Sequence, residues 1–393
     1  MPLPRAHAER SVLDISEFFG STSGGVRTYL IEKARYVERS HNLRQTILVP
    51  GPLDAVTQSE RVRCYWLGSM RVPGQSPYRF LLDMPASRRI IARERPDIVE
   101  VGSSGLAPWH VAVACHARGI PLVSFFHSHL PRVVAGSARP QTAVSRAATA
   151  LAWRYLRRLD RMYVRTIASS RFAVAELAAG GIERTTYIPL GVDLDQFTPH
   201  RRATRADIRI RLAAGDRPLV VFAGRIAAEK RLDLVLRAWP RVSRRTGAVL
   251  VIAGDGPLRT LLQRRHPHPD VRWVGHIPRR DGVADLLAAA DVAVSPGSIE
   301  TFGLAALESL ASGTPVLSAS EGGAAELVVD SKCGSLFECG DSAGFATALE
   351  GLLSRDHDAL GALGRAHAER YHKWESVFSS VFRMYDEVLW DGR

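Results

Sequence analysis

The segment DVAVSPGSIETFGLAALESLASGTPVLSAS (291–320) contains two short apolar runs separated by a stretch with helical spacing. The runs DVAVSPG (291–297) and TPVLSAS (314–320) are bounded by turn residues, and they predict strands that are buried on both faces. A strand, a helix and a second strand in this order predict a parallel α/β unit. Because the helix begins just after the first strand ends, its unpaired N–H groups suit an anionic ligand.

Two glutamates lie in this unit. Glu300 belongs to the turn before the helix, with Thr301, Phe302 and Gly303, whereas Glu308 lies on the second turn of the helix. Glu300 can accept hydrogen bonds from the hydroxyl groups of a sugar, and Glu308 can reach a different part of the same ligand. If only one of the two glutamates were present, it would be interpreted as an ordinary surface residue near a helix start. The flanking pattern favours a binding site at the carboxyl end of the sheet.

A second candidate binding loop lies in VVFAGRIAAEKRLDLVLRAW (220–239). A predicted buried strand leads to Gly224 and Arg225, and Lys230 follows before another helical stretch. Arginine binds phosphate oxygens through its planar fork and lysine as a point charge, so the two cations could hold a diphosphate. Such loops are also common on solvated surfaces, but the position of this one, one β-α unit into the second half, favours the clamp.

The same alternation extends over the whole chain and predicts the class α/β. In the first half the predicted strands are SVLDI (11–15), QTILVP (45–50), VRCYWL (62–67), DIVEVG (97–102), PLVSFF (121–126) and RMYVRTIASS (161–170), the last followed by a helix with Ser169 or Ser170 as its cap. In the second half they include PLVVFAG (218–224), AVLVIAG (248–254) and VRWVG (271–275). TTYIPLGVDLDQFTP (185–199) lacks a helical period, and we interpret it as a linker. Two doubly wound parallel-sheet domains follow, over residues 1–188 and 189–373, with a helical tail at about 374–393.

Composition excludes several classes of protein. With 393 residues, 46% hydrophobic and 23% charged, the chain is neither disordered nor a coiled coil. Its four cysteines form no C-x-x-C pair, which argues against a disulfide scaffold and favours a reducing cytoplasm. The N-terminus lacks the apolar core of a signal peptide, and no run approaches the length of a membrane-spanning helix.

The net charge of +12 lies entirely in the first half of the chain. Residues 1–190 contain 26 Lys and Arg against 14 Asp and Glu, whereas residues 191–393 contain 26 of each. Such a field attracts phosphates, anionic lipid headgroups or nucleic acid, although an Arg-rich composition alone could also raise the charge. SRAATALAWRYLRRLDRMY (145–163) predicts a basic amphipathic helix, which could lie on an anionic membrane or pack as an ordinary helix with a solvated face.

These motifs resemble those of the retaining glycosyltransferases of family 4, which have the GT-B fold of two facing Rossmann-like domains. The resemblance runs from Ser23 to about Val328 and rests on SGGV, IPLGVD, GRIAAEK, GDGP (254–257), VGHIP (274–278) and the pair Glu300 and Glu308. It implies that the C-terminal helix returns to the first domain. Two departures are Arg231, where the family often has glycine, and the sequence H-S-H at 127–129, in which we favour His127 over His129 as the sugar-facing residue. A structural role for both histidines is the alternative.

The resemblance also implies roles for single residues. Arg225 and Lys230 would hold the donor diphosphate, Glu308 the ribose hydroxyls and Glu300 the sugar hydroxyls. The implied catalytic set is His127, Arg225, Lys230 and Glu300. The implied donor-binding set is Gly24, Gly25, Gly224, His276, Ile277, Thr301, Phe302, Gly303, Leu304 and Glu308, with His276 and Ile277 bordering the base and Gly24 and Gly25 leaving room for a phosphate. No metal site is expected, because the D-x-D patterns at 193–195 and 356–358 lie in the linker and the helical tail.

The predicted function is transfer of a hexose, with retention, from a nucleoside diphosphate sugar to a lipid-linked or saccharide acceptor. GDP-mannose or UDP-glucose is the expected donor, and no metal or other cofactor is expected. We expect a cytoplasmic protein that binds the inner face of the membrane through its basic half, without specific nucleic-acid binding. The alternatives are a catalytically silent GT-B protein that binds a nucleotide sugar, and a basic protein that binds nucleic acid or an anionic surface; among enzymes, a phosphorylase or epimerase of the same fold is nearest.

Overall fold

A computed structural model describes residues 9–20, 24–73, 78–136 and 142–391. Within these residues the first part of the chain forms an eight-stranded sheet. Its strands are β1 (Arg10–Ile15), β2 (Leu43–Gly51), β3 (Ala55–Gln58), β4 (Val62–Gly68), β5 (Ile98–Val101), β6 (Leu122–Phe125), β7 (Arg165–Ala168) and β8 (Thr185–Tyr187). Its helices are α1 (Gly25–Glu38), α2 (Met84–Glu94), α3 (Ala107–His116), α4 (Leu130–Ala135), α5 (Ala143–Asp160) and α6 (Arg171–Ala179).

The second part forms a six-stranded sheet with its own helices. Its strands are β9 (Leu219–Ala223), β10 (Val249–Ala253), β11 (Val271–Gly275), β12 (Val292–Ser295), β13 (Val316–Ala319) and β14 (Gly334–Phe337). The helices are α7 (Arg205–Arg211), α8 (Leu232–Thr246), α9 (Arg259–Arg265), α10 (Arg280–Ala289), α11 (Leu304–Ala311), α12 (Gly323–Ser331), α13 (Ser342–Leu353), α14 (His357–Tyr371) and α15 (Trp374–Asp391). Two 3-10 turns lie at Pro199–Thr204 and Ala228–Lys230.

The strand orders give each sheet a switch point. They are β3-β4-β2-β1-β5-β6-β7-β8 and β11-β10-β9-β12-β13-β14, with only β3 antiparallel. The winding direction changes between β1 and β5 in the first sheet and between β9 and β12 in the second. In open α/β sheets the crevice outside the carboxyl ends of such strands binds ligands. The two predicted binding loops, after β9 and after β12, therefore lie at the same switch point.

The predicted doubly wound architecture is confirmed, with three differences in detail. β3 and β14 are extra strands, and β7 begins at Arg165 rather than near 161. The segment interpreted as a linker begins with β8, which pairs with β7 and completes the first sheet, so that part of the interpretation is wrong. Ser170, not Ser169, is the cap of α6, since its side chain accepts the N–H of Ala173. The exact boundary after residue 188 stays a prediction.

The C-terminal helix α15 packs against α1 of the first domain. The chain therefore crosses between the domains twice, once after β8 and once before α15. The two crossings are hydrogen-bonded to each other, because the Val192 N–H donates to the His372 carbonyl at 2.8 Å. A Cβ on Gly191 would lie 2.6 Å from the Trp374 ring, so this close contact requires glycine.

A buried polar cluster joins α15 to α1 and the first sheet. Lys33 Nζ lies 2.6 Å from Asp14 Oδ1, 2.7 Å from the Tyr385 hydroxyl and 3.5 Å from Glu100 Oε2. The hydroxyl groups of Tyr29 and Tyr385 both donate to Glu100 Oε2. Burial raises the pKa of Glu100 to about 7, although the Lys33 charge opposes this shift. The cluster therefore connects α15 to the first domain through hydrogen bonds and ion pairs that are buried from water.

Candidate active site

The loops after β9 and β12 meet at the switch point of the second sheet. Lys230 Nζ lies 2.5 Å from Glu300 Oε1, so the predicted phosphate-binding lysine and sugar-binding glutamate are direct neighbours. A Cβ on Gly297 would lie 2.6 Å from the Glu229 carbonyl oxygen. Only glycine permits this approach of the two backbones, which brings Lys230 and Glu300 together.

Arg225 lies beside this pair. Its Nη2 atom is 3.3 Å from Glu229 Oε1, and its Nε is buried without a hydrogen-bond partner among the described residues. An orphaned, buried N–H that belongs to a cation is a suitable donor to a phosphate oxygen. The guanidinium also lies 5.4 Å from the ring centroid of Tyr78, which belongs to the first domain.

Glycines hold the loop after β9 against its neighbours. A Cβ on Gly254 would lie 1.8 Å from the Gly224 carbonyl oxygen, and one on Gly256 would lie 2.3 Å from that of Ile226. The GDGP motif is therefore a backbone support beneath the loop that carries Arg225. Its role in this site is to allow close packing.

The turn from Thr301 to Gly303 leads into α11. Gly303 has a φ of +95° immediately before the helix, and a Cβ there would lie 2.7 Å from the Ala324 Cβ. The positive φ turns the chain so that α11 begins at Leu304, with its first N–H groups beside the turn. Phe302 is buried and packs edge-to-face against His372.

Glu308 points into the interior on the second turn of α11. Burial raises its pKa, and the Arg280 guanidinium, whose Nη2 is 2.7 Å from Glu308 Oε1, opposes that shift. His276 and Ile277 follow β11, the edge strand on the side of the sheet away from β14, and His276 is exposed. The bordering of a base by these two residues stays a prediction.

The first domain contributes the start of α1. A Cβ on Gly24 or Gly25 would meet no atom of the described residues within 4 Å, so among these residues the two positions border open space. Ser23, which precedes them, lies outside the described residues. Space at the N-terminus of a fourteen-residue helix is compatible with the predicted approach of a phosphate.

The two histidines of H-S-H have different surroundings. His129 is bound on both ring nitrogens, since Nδ1 accepts the Arg132 N–H and Nε2 lies 2.7 Å from Glu176 Oε2, and it caps α4. This structural role favours His127 as the residue that faces a sugar. The ring of His127 stacks on Phe125 at 4.0 Å, and burial lowers its pKa to about 3. His127 is therefore neutral at physiological pH.

Several hydrogen bonds join the domains at this site. Thr301 Oγ1 donates to the His127 carbonyl at 3.0 Å, and Ser170 Oγ donates to the Thr301 carbonyl at 2.6 Å. The Glu326 carboxylate of α12 accepts the backbone N–H groups of Arg171 and Phe172 at the start of α6. Sequence reasoning named Ser170 only as a helix cap, and it missed Glu326, Tyr78 and Arg280. The roles of these residues depend on contacts between segments that are distant in the sequence, which no local sequence pattern shows.

The described residues include neither a metal-binding cluster nor a membrane-spanning helix. No group of three or more His, Cys, Asp or Glu side chains there could hold a metal ion. In the same part of the chain, no helix combines the length and apolar character needed to cross a bilayer. The predicted independence of metal is untested by this result.

Comparisons with known proteins agree with this geometry. Residues 23–196 match the family model "Glycosyltransferase Family 4", and residues 217–355 match "Glycosyl transferases group 1". The GDP-mannose-dependent alpha-(1-6)-phosphatidylinositol dimannoside mannosyltransferase of Mycobacterium tuberculosis is 33% identical over 383 residues, covering 94% of each chain.

Solved structures share the fold. Sucrose-phosphate synthase from Thermosynechococcus elongatus aligns with a TM-score of 0.80 and 20% identity, over 97% of this chain and 99% of that one. Anabaena HepE, solved with UDP and glucose, aligns with a TM-score of 0.73 and 18% identity, over 96% and 100% of the chains. Both neighbours are GT-B proteins, as the two-sheet architecture predicts. With the family models and the full-length relative, these findings place the protein in family 4 of the glycosyltransferases.

Proposed function

We propose that the protein transfers a hexose with retention from a nucleoside diphosphate sugar to a lipid-linked or saccharide acceptor. GDP-mannose is the favoured donor of the sugar, because a relative that matches over 94% of the chain is named for GDP-mannose. UDP-glucose is the alternative. The observation that carries the proposal is the 2.5 Å contact between Lys230 and Glu300 at the switch point, with Arg225 beside it.

The proposed chemistry is mainly electrostatic. As the bond between the sugar carbon and the diphosphate breaks, negative charge develops on the leaving phosphate and positive charge on the sugar. Arg225, Lys230 and the first N–H groups of α11 stabilise the phosphate charge without reorganising during the reaction. The phosphate oxygens compete with Glu300 for Lys230, which frees the Glu300 carboxylate to accept sugar hydroxyls.

The acceptor hydroxyl then forms the new bond on the same face. Because this is the face from which the diphosphate leaves, the configuration at the sugar carbon is retained, and the hydroxyl proton passes to the leaving phosphate oxygen. His127 contributes as a neutral hydrogen-bonding group, because a pKa of about 3 makes it a poor base. No metal ion is required on this proposal, and turnover should be unchanged in EDTA.

An anionic membrane surface is the proposed location of the acceptor, on the cytoplasmic side. One stripe of α5 is exposed and carries Val144 and Leu151 followed by Arg154 and Arg158; we call these four residues the α5 face. Exposed apolar side chains next to arginines favour the boundary between headgroups and acyl chains. The M. tuberculosis relative is named for a phosphatidylinositol acceptor, which supports a lipid-linked substrate.

The first experiment is thermal unfolding of the purified protein with GDP, UDP, ADP, dTDP or duplex DNA at millimolar concentration. A ligand at about 100 times its Kd adds roughly 2.7 kcal/mol to the free energy of unfolding. Selective stabilisation by one nucleotide identifies the donor class, and the anomeric configuration of the product then tests retention. Stabilisation by DNA and by no nucleotide would contradict the proposal.

A further inference from the structure

Arg280, the first residue of α10, contacts four residues in three different parts of the protein. Nη2 lies 2.7 Å from Glu308 Oε1, Nη1 donates to Thr28 Oγ1 at 2.8 Å, and Nε donates to Gln196 Oε1 at 3.1 Å. The guanidinium carbon also lies 5.1 Å from the ring centroid of Phe197. Three hydrogen bonds and one aromatic face therefore determine where this side chain lies.

The partners of Arg280 belong to both domains. Thr28 is in the first turn of α1, where its N–H donates to the Gly24 carbonyl at 3.0 Å. Glu308 is in α11 of the second domain. The guanidinium thus connects the carboxylate proposed to bind the ribose with the helix whose start borders the proposed phosphate position.

The orientation of the guanidinium is itself supported. Gln196 donates from Nε2 to Asp281 Oδ1 at 3.3 Å, so its amide oxygen faces Arg280 Nε. Arg201 donates to Asp285 and to Asp281, and the second contact holds the Asp281 carboxylate in place. The planar fork can therefore reach Glu308 and Thr28 at the same time, which a lysine at this position could not do.

We propose that Arg280 is a positioning residue that couples nucleotide binding at Glu308 to the placement of α1. This inference rests on the proposed function, because it takes Glu308 as the ribose-binding residue. The guanidinium binds Oε1 at 2.7 Å, which fixes the orientation of the carboxylate and directs Oε2 to the ribose hydroxyls. Through Thr28, the same side chain holds the first domain at the phosphate end of the nucleotide.

The test measures Kd values for GDP and 2′-deoxy-GDP by calorimetry. Arg280→Ala should weaken GDP binding about tenfold or more, the loss expected for a charge-assisted hydrogen bond. It should also bring the Kd for 2′-deoxy-GDP divided by the Kd for GDP, which we call the ratio, close to one. Thr28→Val removes only the contact with α1, so it should weaken both nucleotides equally, by about three- to tenfold, and leave the ratio unchanged.

Arg279→Ala is the matched control. Arg279 is the preceding residue, its side chain is 84% exposed, and its ion pair is with Asp281 at 3.5 Å. This variant should bind both nucleotides as the wild type does. Thermal unfolding of each variant without ligand establishes that it is folded, and Arg280→Gln, which also removes the charge at Glu308, replaces Arg280→Ala if the latter unfolds, with the same ratio near one expected.

The outcomes separate the two proposals. A wild-type ratio well above one that falls in Arg280→Ala, but not in Thr28→Val or Arg279→Ala, supports the inference. If the wild type binds GDP and discriminates against 2′-deoxy-GDP, but Arg280→Ala retains that ratio, the inference is overturned and the proposed function stands. If the wild type binds no nucleotide, the proposed function fails and the inference with it.

Discussion

The hydroxyl of Thr301 in the second domain donates a 3.0 Å hydrogen bond to the backbone carbonyl of His127 in the first. Ser170, also in the first domain, donates to the Thr301 carbonyl. Both the side chain and the backbone carbonyl of Thr301, in the turn between Glu300 and α11, are therefore hydrogen-bonded to the first domain. The position of the proposed sugar-binding turn consequently depends on how the domains meet.

Thr301→Val should test this dependence, because it keeps the shape of the side chain and removes the donor. We expect kcat for sugar transfer to fall about three- to tenfold, the effect of one neutral hydrogen bond, with little change in the free energy of unfolding. Thr301→Ser, which retains the hydroxyl, is the control. Equal rates for the valine and serine variants would show that the contact does not position the turn.

Lys230→Ala and Arg225→Ala should each lower turnover more than tenfold. Each variant loses a cation that we propose stabilises charge on the leaving diphosphate, so the loss should appear mainly in kcat rather than in KM. Arg245→Ala, in which the lost side chain is 63% exposed on α8, removes the same kind of charge away from the site and should leave turnover unchanged. A Lys230→Ala enzyme with the wild-type rate would disprove the diphosphate clamp.

Arg231→Gly should stabilise the protein. Arg231 has a φ of +51°, a left-handed conformation that costs a side chain roughly 1–2 kcal/mol and glycine little. Part of that gain is offset by the greater chain entropy of glycine when unfolded, so an increase of about 0.5–1 kcal/mol is expected in urea unfolding. The conformation also explains the glycine often present here in the resembling family. Arg231→Ala should give no such gain.

Stability should depend on pH through Glu100. Its pKa rises from an ordinary value of 4.5 to about 7 in the folded protein, so the folded state binds the proton more tightly. This contribution is complete below pH 4.5 and is lost as pH rises to about 7, by at most about 1.4 kcal/mol per pH unit. Urea unfolding at several pH values should show this loss for the wild type relative to Glu100→Gln. The exposed Glu338→Gln should keep the wild-type dependence.

Anionic vesicles should bind the protein at low salt and release it at high salt, because salt screens the interaction. The double variant Arg154→Glu/Arg158→Glu should sediment with the vesicles much less, since it reverses two charges on the α5 face. Arg237→Glu/Arg245→Glu makes the same change in charge on α8 of the second domain and should bind as the wild type does. Equal loss in both variants would show that net charge, not the α5 face, governs binding.

The local patterns predicted more of the fold than of the site's connections. β9 and β10 are near-continuous apolar runs, and their burial on both faces follows from that composition. β3 has exposed residues at every position and β14 is mostly half-buried, so neither carries a strong apolar signal. Glu300 and Glu308 could be found because they belong to one strand-loop-helix unit.

Contacts between distant segments could not be predicted in this way. Arg280 and Thr28 are 252 residues apart, and their hydrogen bond exists only because two separately folded sheets face each other. Tyr78 and Arg225 meet for the same reason. Arg280 differs from its neighbour Arg279 in no property visible in the sequence, and only the packing shows which of the two is held.

The return of α15 to the first domain has a consequence for the order in which the protein is completed during synthesis. Lys33, Asp14 and Glu100 are synthesised before the second domain, but Tyr385, which binds both Lys33 and Glu100, follows the second sheet in the chain. Until then, Lys33 and Glu100 lack the Tyr385 hydroxyl that binds both of them in the finished protein. The domain that is translated first is therefore finished last, and a nascent chain stalled before α15 would carry a complete second sheet beside an incomplete first domain.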